Sequence, residues 1–432
     1  MATSYSAILT LPGARSFTTA GLIARFPMSM VGISTILAVE GLYGSYTAAG
    51  LVSAANFVAL ALGAPVLARC VDRYGQSRVM LPALVVSSVS LAALAAAATA
   101  HVHLGVLAVL AALAGGLAGS MGSLVRARWT ALVSRPEDVH AAFSLEAALD
   151  EVSFILGPVL ATALCTTPVL PVTSGWLACV TMQVVGGLWF LAQRATEPAP
   201  HPRRPRRAAE AAARDAADVS TVDPGAESSA GSTAGHRPVL RYGAVMATIV
   251  VFLISGAMFG ANDVAVVAFA TEAGHKSASG LVLAVWGVGS FAAALVYGSR
   301  TWGWPLWKQL LAGLVALAVG TSTFSLAPSL VVLSVLALMT GLAIAPTLTS
   351  GNNIVQVTVA PSQLTEGLAW VSTALNVGVS VGSLLVGQAT DTGGSRAGYL
   401  TVASFAWAAV VAGIVSLPAL RRARTTRSLS AH

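Results

Sequence analysis

Charge is what this chain of 432 residues has least of: 9% are Asp, Glu, Lys or Arg, against about 25% in soluble domains. So few charges cannot cover a water-exposed surface. With 56% hydrophobic residues and a mean hydropathy of +0.77, the composition fits lipid as the solvent. Cysteine is scarce as well. Cys70, Cys165 and Cys179 share no metal-like spacing, and Cys165 and Cys179 either meet on one side of a membrane or are small apolar filler. A phosphate-cradling Gly-x-x-x-x-Gly-Lys-Ser/Thr run is missing, which argues against ATP hydrolysis, and so is His-Glu-x-x-His. Gly-x-Ser-x-Gly does occur, as "GVSVG" from Gly378 to Gly382. It lies inside an apolar run, where the strand-to-helix turn of a nucleophile elbow has no place. His101 and His103 sit in a short loop without acidic partners and read as a surface pair. A membrane-embedded enzyme is thus disfavoured, and no cofactor or metal is expected.

What is present is a series of long hydrophobic runs. About 20 apolar residues in a helix cross the ~30 Å hydrocarbon core. Runs of that length predict six spans before the middle of the chain: Phe17–Val39, Tyr46–Ala68, Val79–Ala98, Leu104–Val125, Phe143–Leu164 and Val172–Leu191. Six more follow: Tyr242–Phe269, Ser279–Ser299, Leu306–Ser325, Ser329–Thr349, Thr365–Gly387 and Gly398–Leu417. The first run is longer than a signal-peptide core and lacks an evident cleavage site, so it reads as a retained span. Arg15, Arg69, Arg73, Arg78, Arg126, Arg128, Arg135, Arg300, Lys308 and Arg421 fall on one side of this alternation. Only Lys276 and Arg396 of the 24 basic residues fall on the other, with Arg25 inside a span. The positive-inside rule makes the rich side cytoplasmic and puts both termini there. The net charge of +7 is therefore clustered at membrane edges, a distribution that fits a lipid surface rather than nucleic acid.

Between Glu197 and Pro238 the hydrophobic pattern stops. The segment is rich in Pro, Ala, Ser, Gly and charge, and without large apolar residues it is expected to be a disordered cytoplasmic linker. The stretch "RRAAEAAARDAA" within it can form a surface helix, and its arginines can sit against anionic headgroups. The expected organisation is residues 1–194 as a first six-helix bundle, 195–240 as the linker, and 241–432 as a second six-helix bundle with a basic cytoplasmic tail. Faint self-similarity relates the bundles: "LEAALDEVSFILGP" aligns with "TEGLAWVSTALNVG", placing Glu146 and Glu366 in register, and "ARFPMSMVG" aligns with "SGAMFGAND" through Met28 and Met258. Repeated halves that rock about a central site follow as an expectation.

One short stretch breaks the apolar pattern sharply. "ARCVDRYGQSR", Ala68 to Arg78, resembles the loop between the second and third spans of the major facilitator superfamily, roughly Gly-x-x-x-Asp-Arg/Lys-x-Gly-Arg/Lys-Arg/Lys. Asp72, Arg73 and Gly75 match; Ala68 stands for the first glycine, and the basic pair is reduced to a displaced Arg78. With the six-plus-six layout and the central linker, the resemblance covers nearly the whole chain. It implies an all-α integral membrane fold, twelve transmembrane helices in two pseudo-symmetric bundles. It also implies that Asp72 and Arg73 latch the halves on the cytoplasmic side, where an aspartate can face a helix N-terminus or an arginine; the alternative is a topology anchor with an incidental Asp72. Gly75 suits the tight turn. The Gly-Pro pair of the fifth span in proton-coupled exporters is matched by Gly157 and Pro158, although Ser153 and Ala161 replace the flanking glycines. That pair is either an exporter mark or an ordinary kink. The basic residue found in the fourth span of many such exporters is not evident here.

Residues for a transport path are polar ones at helical spacing. Thr248, Ser255 and Asn262 recur every seven residues, beside a stripe of Gly256, Gly260 and Asp263. Thr373, Asn376, Ser380 and Ser383 share a face of the eleventh span, with Gly378 and Gly382 nearly opposite. Polar residues facing a cavity and glycines facing a neighbouring helix would account for both spans. Gly115, Gly119 and Gly122 read as a close-packing face of the fourth. Charge inside a span costs a few kcal/mol unless paired or hydrated, so Arg25 and Asp263 are suspects. Asp263 lies about 9 Å from its outer span end at helical rise, too deep for a short carboxylate to reach water. It is either a proton-coupling group or a structural pair or cap. Arg25 either snorkels or belongs to the site. Glu146 and Asp150 share a face of the fifth span, and pairing with Arg126 or Arg128 is the simpler reading for them. Trp286 and Trp370 either stack on substrate or pack against lipid and core. The expectation is a monomeric, multi-pass protein of the cell membrane that moves a small organic solute by alternating access. Proton-coupled efflux of a drug or metabolite is the leading form. Proton-coupled uptake of a small metabolite is the alternative, and a non-transporting membrane receptor or enzyme is the rival class.

Overall fold

In hydrocarbon every backbone N–H and C=O must find a partner within the protein, and a helix satisfies them within a single segment. The computed structural model of the chain describes residues 5–133, 135–200, 239–300, 302–360 and 363–422, and the secondary structure of these residues is helical throughout. The expected linker helix and most of the basic tail lie outside the described residues.

The first half runs α1 (Tyr5–Leu9), α2 (Ala14–Tyr43), α3 (Tyr46–Tyr74), α4 (Gln76–Thr99), α5 (Leu104–Gly116), α6 (Met121–Leu132), α7 (Pro136–Thr166) and α8 (Ser174–Ala192). The second half runs α9 (Gly243–Glu272), α10 (Ser279–Gly298), α11 (Leu306–Phe324), α12 (Leu330–Gly341), α13 (Ile344–Thr358), α14 (Leu364–Val415) and α15 (Leu417–Arg422). Connections are short and chemically explicit. Gly44, left-handed at φ 66, closes α2, and Ser45 caps α3 by accepting the Ala48 N–H at 3.1 Å. Gly75 alone, at φ 92, turns α3 into α4.

Two expectations about the spans need correction. The fourth is not one helix: α5 ends at Gly116 and α6 starts at Met121, with Gly119 between them at φ 67. Gly115 does pack closely, against the Asn56 backbone, but Gly119 belongs to the break and Gly122 faces Arg126 and Asp150. The tenth is broken at the corresponding place, between Gly341 and Ile344. The eleventh and twelfth spans are two helices, as expected, but they follow each other without a loop in α14 and meet at Gly394, whose φ of 69 and ψ of −170 turn the chain within a single residue. Among the described residues, ten helical stretches, counting α5–α6 and α12–α13 as one each, are long and apolar enough to cross a membrane. Among them α14 supplies two rods, and α11, a helix of 19 residues, occupies the expected ninth position without being one of the ten. The exterior is apolar, with Leu62, Val89, Leu295 and Val331 all more than half exposed, as a lipid-facing surface requires.

The halves join through α3 on α14 and α7 on α10. A Cβ on Gly50 would overlap the Ser383 carbonyl, one on Gly387 the Tyr46 carbonyl, and one on Gly280 the Pro158 carbonyl, so small residues set how closely these backbones approach. Polar contacts that cross between halves, Asp391 with Ser45, Tyr46 and Thr47 and Lys276 with Glu40, lie at the Arg-poor end of the bundle. The opposite, Arg-rich end carries the α3–α4 turn.

Candidate functional site

Arg25 does not snorkel. It is 2% exposed, and its guanidinium is held inside the first half by two carboxylates one helical turn apart on α7. Nη2 donates to Glu146, and Nη1 donates to Asp150 Oδ1 at 2.9 Å and to the Glu146 carbonyl at 3.3 Å. The second Asp150 oxygen accepts from Arg126 of α6 at 2.7 Å, and Trp129 Nε1 donates to the other Glu146 oxygen at 2.9 Å. The i, i+4 spacing of Glu146 and Asp150 puts both carboxylates on one face of α7. Two cations and two anions leave the cluster neutral as drawn together, which is how such charges persist away from water. Glu146 thus pairs with Arg25 rather than with the expected Arg126 or Arg128. Arg128 instead donates to Gln76 at 3.0 Å and stacks over the Phe190 ring at 3.7 Å.

Beside the cluster is a cavity of about 150 Å³, walled by Arg25, Asn56, Phe57, Arg126, Asp150 and Gln183 among others. The α5–α6 break forms one wall. Asn56 donates to the Ala111 carbonyl at 2.9 Å, Gln183 to Ser87 at 2.9 Å, and Ser87 to the Ala114 carbonyl at 2.7 Å. Glu146 is fully buried, whereas the Asp150 side chain is 22% exposed. Asp150 is therefore the carboxylate that both holds two arginines and borders open space.

Other expected residues lie apart from this cluster. Asp263 is half-buried on α9 and makes no hydrogen bond or ion pair among the described residues. Asn262 beside it is 2% exposed, and its carbonyl oxygen lacks a partner there. Asn376 is half-buried and donates to the Ser372 carbonyl at 3.1 Å. The glycine stripes do what their spacing predicts: Gly256 and Gly260 meet the Leu375 and Val379 carbonyls of α14, and Gly378 and Gly382 meet the Leu253 and Ala257 carbonyls of α9. Ser383, expected to face a cavity, donates to the Gly260 carbonyl at 3.2 Å within the same seam. A hydroxyl beside a glycine seam is close enough to take a neighbouring carbonyl, and that contact wins. Trp286 is buried, its ring 5.5 Å from that of Phe259.

Gly157 leaves room for Ser29 of α2, which donates to the Ser153 carbonyl at 2.8 Å, and the Pro158 carbonyl faces Gly280 of α10. The Gly-Pro pair therefore lies where α7 meets both α2 and the other half. Asp72, Arg73 and Arg78 are exposed. Arg73 lies 5.1 Å from the centre of the Tyr74 ring, and Asp72 has no ion-pair partner among the described residues. The carboxylate at the start of α4 is that of Glu197, accepting from Ser77 N at 2.8 Å and Ser77 Oγ at 2.6 Å. Sequence reasoning did not single out Glu197, nor Trp129, Asn56 or Gln183. The first follows the last span of its half, and the others read as ordinary polar or aromatic residues within apolar runs.

Comparison with known proteins bears on this geometry. A family model described as the Major Facilitator Superfamily matches residues 17–304. A curated relative, the MFS-type transporter ppzB of Metarhizium rileyi, is 36% identical over 113 residues, which is 25% of this chain and 23% of that protein. Among solved structures, the peptide transporter POT in complex with sulfate is similar at a TM-score of 0.68 and 15% identity, over 96% of this chain and 95% of that one. The nucleoside transporter NupG is similar at 0.65 and 11%, over 95% and 100%. The human organic anion transporter MFSD10 (TETRAN) is similar at 0.59 and 16%, over 93% and 99%. At such identities these structures share the fold.

Proposed function

Because this chain belongs to the Major Facilitator Superfamily, we propose that it is a proton-coupled secondary transporter exporting a small organic solute by alternating access, with Asp150 as the coupling carboxylate. The observation that carries the reading is the shared Asp150: one carboxylate bordering a cavity holds Arg25 of α2 and Arg126 of α6 together. A proton taken up at an Asp150 oxygen removes its negative charge, so Arg126 loses its ion-pair partner and Arg25 keeps only Glu146. The cluster passes from neutral to a net positive charge inside the bundle, which favours a conformation that rehydrates them. Proton loss restores the pair. Glu146, enclosed by Arg25 and Trp129, stays the fixed counter-charge and keeps Arg25 aimed at Asp150.

The solved relatives are described as peptide, nucleoside and organic anion transporters, which supports a polar organic solute and leaves its class to assay. The Gly157–Pro158 pair at the contact between halves supports export. The basic clustering supports a cell-membrane location with the Arg-rich end cytoplasmic, where Asp72 and Arg73 would engage the second half when that end closes. The test uses full-length protein in sealed proteoliposomes, a panel of labelled dipeptides, nucleosides and organic anions, and an imposed pH gradient. The proposal expects gradient-driven flux of one class. Asp150→Asn should lose that flux yet keep substrate exchange at equal pH. Gradient-driven flux unchanged in Asp150→Asn would remove Asp150 from coupling.

A further inference from the structure

The first N–H groups of a helix have no intrahelical partner and carry its positive end, so a carboxylate there is both acceptor and counter-charge. At the start of α3 the carboxylate comes from the other half of the molecule. Asp391, near the bend of α14, accepts from Tyr46 N at 2.7 Å, Thr47 N at 2.9 Å and Ser45 Oγ at 2.8 Å. Below these bonds Gly50 and Gly387 let α3 and α14 touch backbone to backbone. Asp391 is itself held in place, because Glu272 of α9 accepts from Ser395 N at 2.6 Å and from Ser395 Oγ, fixing the turn at Gly394. A second tie, Lys276 to Glu40, crosses the halves at the same end.

We propose that Asp391 is a gating residue of the transport cycle: its carboxylate, bound to the exposed start of α3, holds the Arg-poor end shut, and opening that end requires α3 to leave it. The proposal rests on the rocking of two halves, and it adds a residue that neither the polar stripes nor the α3–α4 loop indicated. Charge-assisted bonds to several donors are strong and directional, so a single carboxylate can set the balance between the two states. The Lys276–Glu40 pair, part-exposed at 28% and 15%, is the weaker tie.

The test measures conformation rather than flux. Spin labels on Val169→Cys and Leu326→Cys, in a background with Cys70, Cys165 and Cys179 replaced by alanine, report the separation of the halves at the Arg-poor end in lipid nanodiscs. Asp391→Asn, nearly isosteric, should raise the ratio of open to closed distances by about tenfold, equivalent to about 1.4 kcal/mol. Ser45→Ala, which removes one of the donors, should raise it less. An unchanged ratio in Asp391→Asn, with two distances still present in the parent protein, overturns the gate while leaving rocking intact. One short distance in every variant, at either pH 5 or pH 8, overturns rocking and the gate together.

Discussion

At the scale of single residues the decisive fact is that Arg25 is buried with its full complement of partners. Removing one member of a buried ion pair strands the other and costs about 3–5 kcal/mol. Arg25→Ala should therefore lower thermal stability in detergent strongly, because Glu146 is fully buried and would keep only the Trp129 bond. Arg126→Ala, whose side chain is 32% exposed, should cost much less. A scanning-fluorimetry melt that ranks the two the other way would contradict the geometry. Which residues could be read in advance follows from where charge is ordinary. Arg25, Glu146 and Asp150 stood out because they interrupt apolar runs. Glu40, Lys276 and Asp391 fall at span ends, where charge is common, and only the folded halves bring them together. The partner of Glu146 was misjudged for a related reason: Arg126 and Arg128 are near it in sequence, while Arg25 reaches it across 121 positions of chain.

Elements are legible to the extent that hydropathy reports them. Positions of the spans followed from runs of apolar residues, because burial in lipid is the dominant free energy. The break between α5 and α6 did not, since "GGLAGS" is as apolar as a continuous helix and hydropathy is blind to backbone continuity. The bend at Gly394 was hidden likewise, inside what read as a loop of ten residues between spans. The seam between α9 and α14 was legible, because small residues spaced by four mark a close helix contact. A side chain at Gly382 would meet the Ala257 backbone, whereas Gly298 has nothing nearby. Gly382→Val should thus destabilise by about 1–3 kcal/mol through overpacking, while Gly298→Ala should leave the melt unchanged or slightly raised. Equal melts for the two variants would mean that the seam is looser than its backbone contacts imply.

For the whole molecule, the two halves repeat a broken helix at the fourth place in each, α5–α6 and α12–α13. That shared defect is stronger support for an internal repeat than the faint sequence matches were. The halves are tied by polar contacts at the Arg-poor end, and the α3–α4 turn with its exposed Asp72 stands at the other end, an arrangement expected of one extreme of a rocking cycle. The proposed function depends on the cavity near Asp150 meeting each aqueous face in turn. Met28 borders that cavity and is about half exposed, so a single cysteine there reports access directly. In oriented vesicles, with the native cysteines replaced, Met28→Cys should react with an impermeant thiol reagent from the Arg-rich side in the parent protein. When Asp391→Asn is added, the reagent should reach it from the opposite side. Reaction from one side alone in both proteins and at every pH would contradict alternating access.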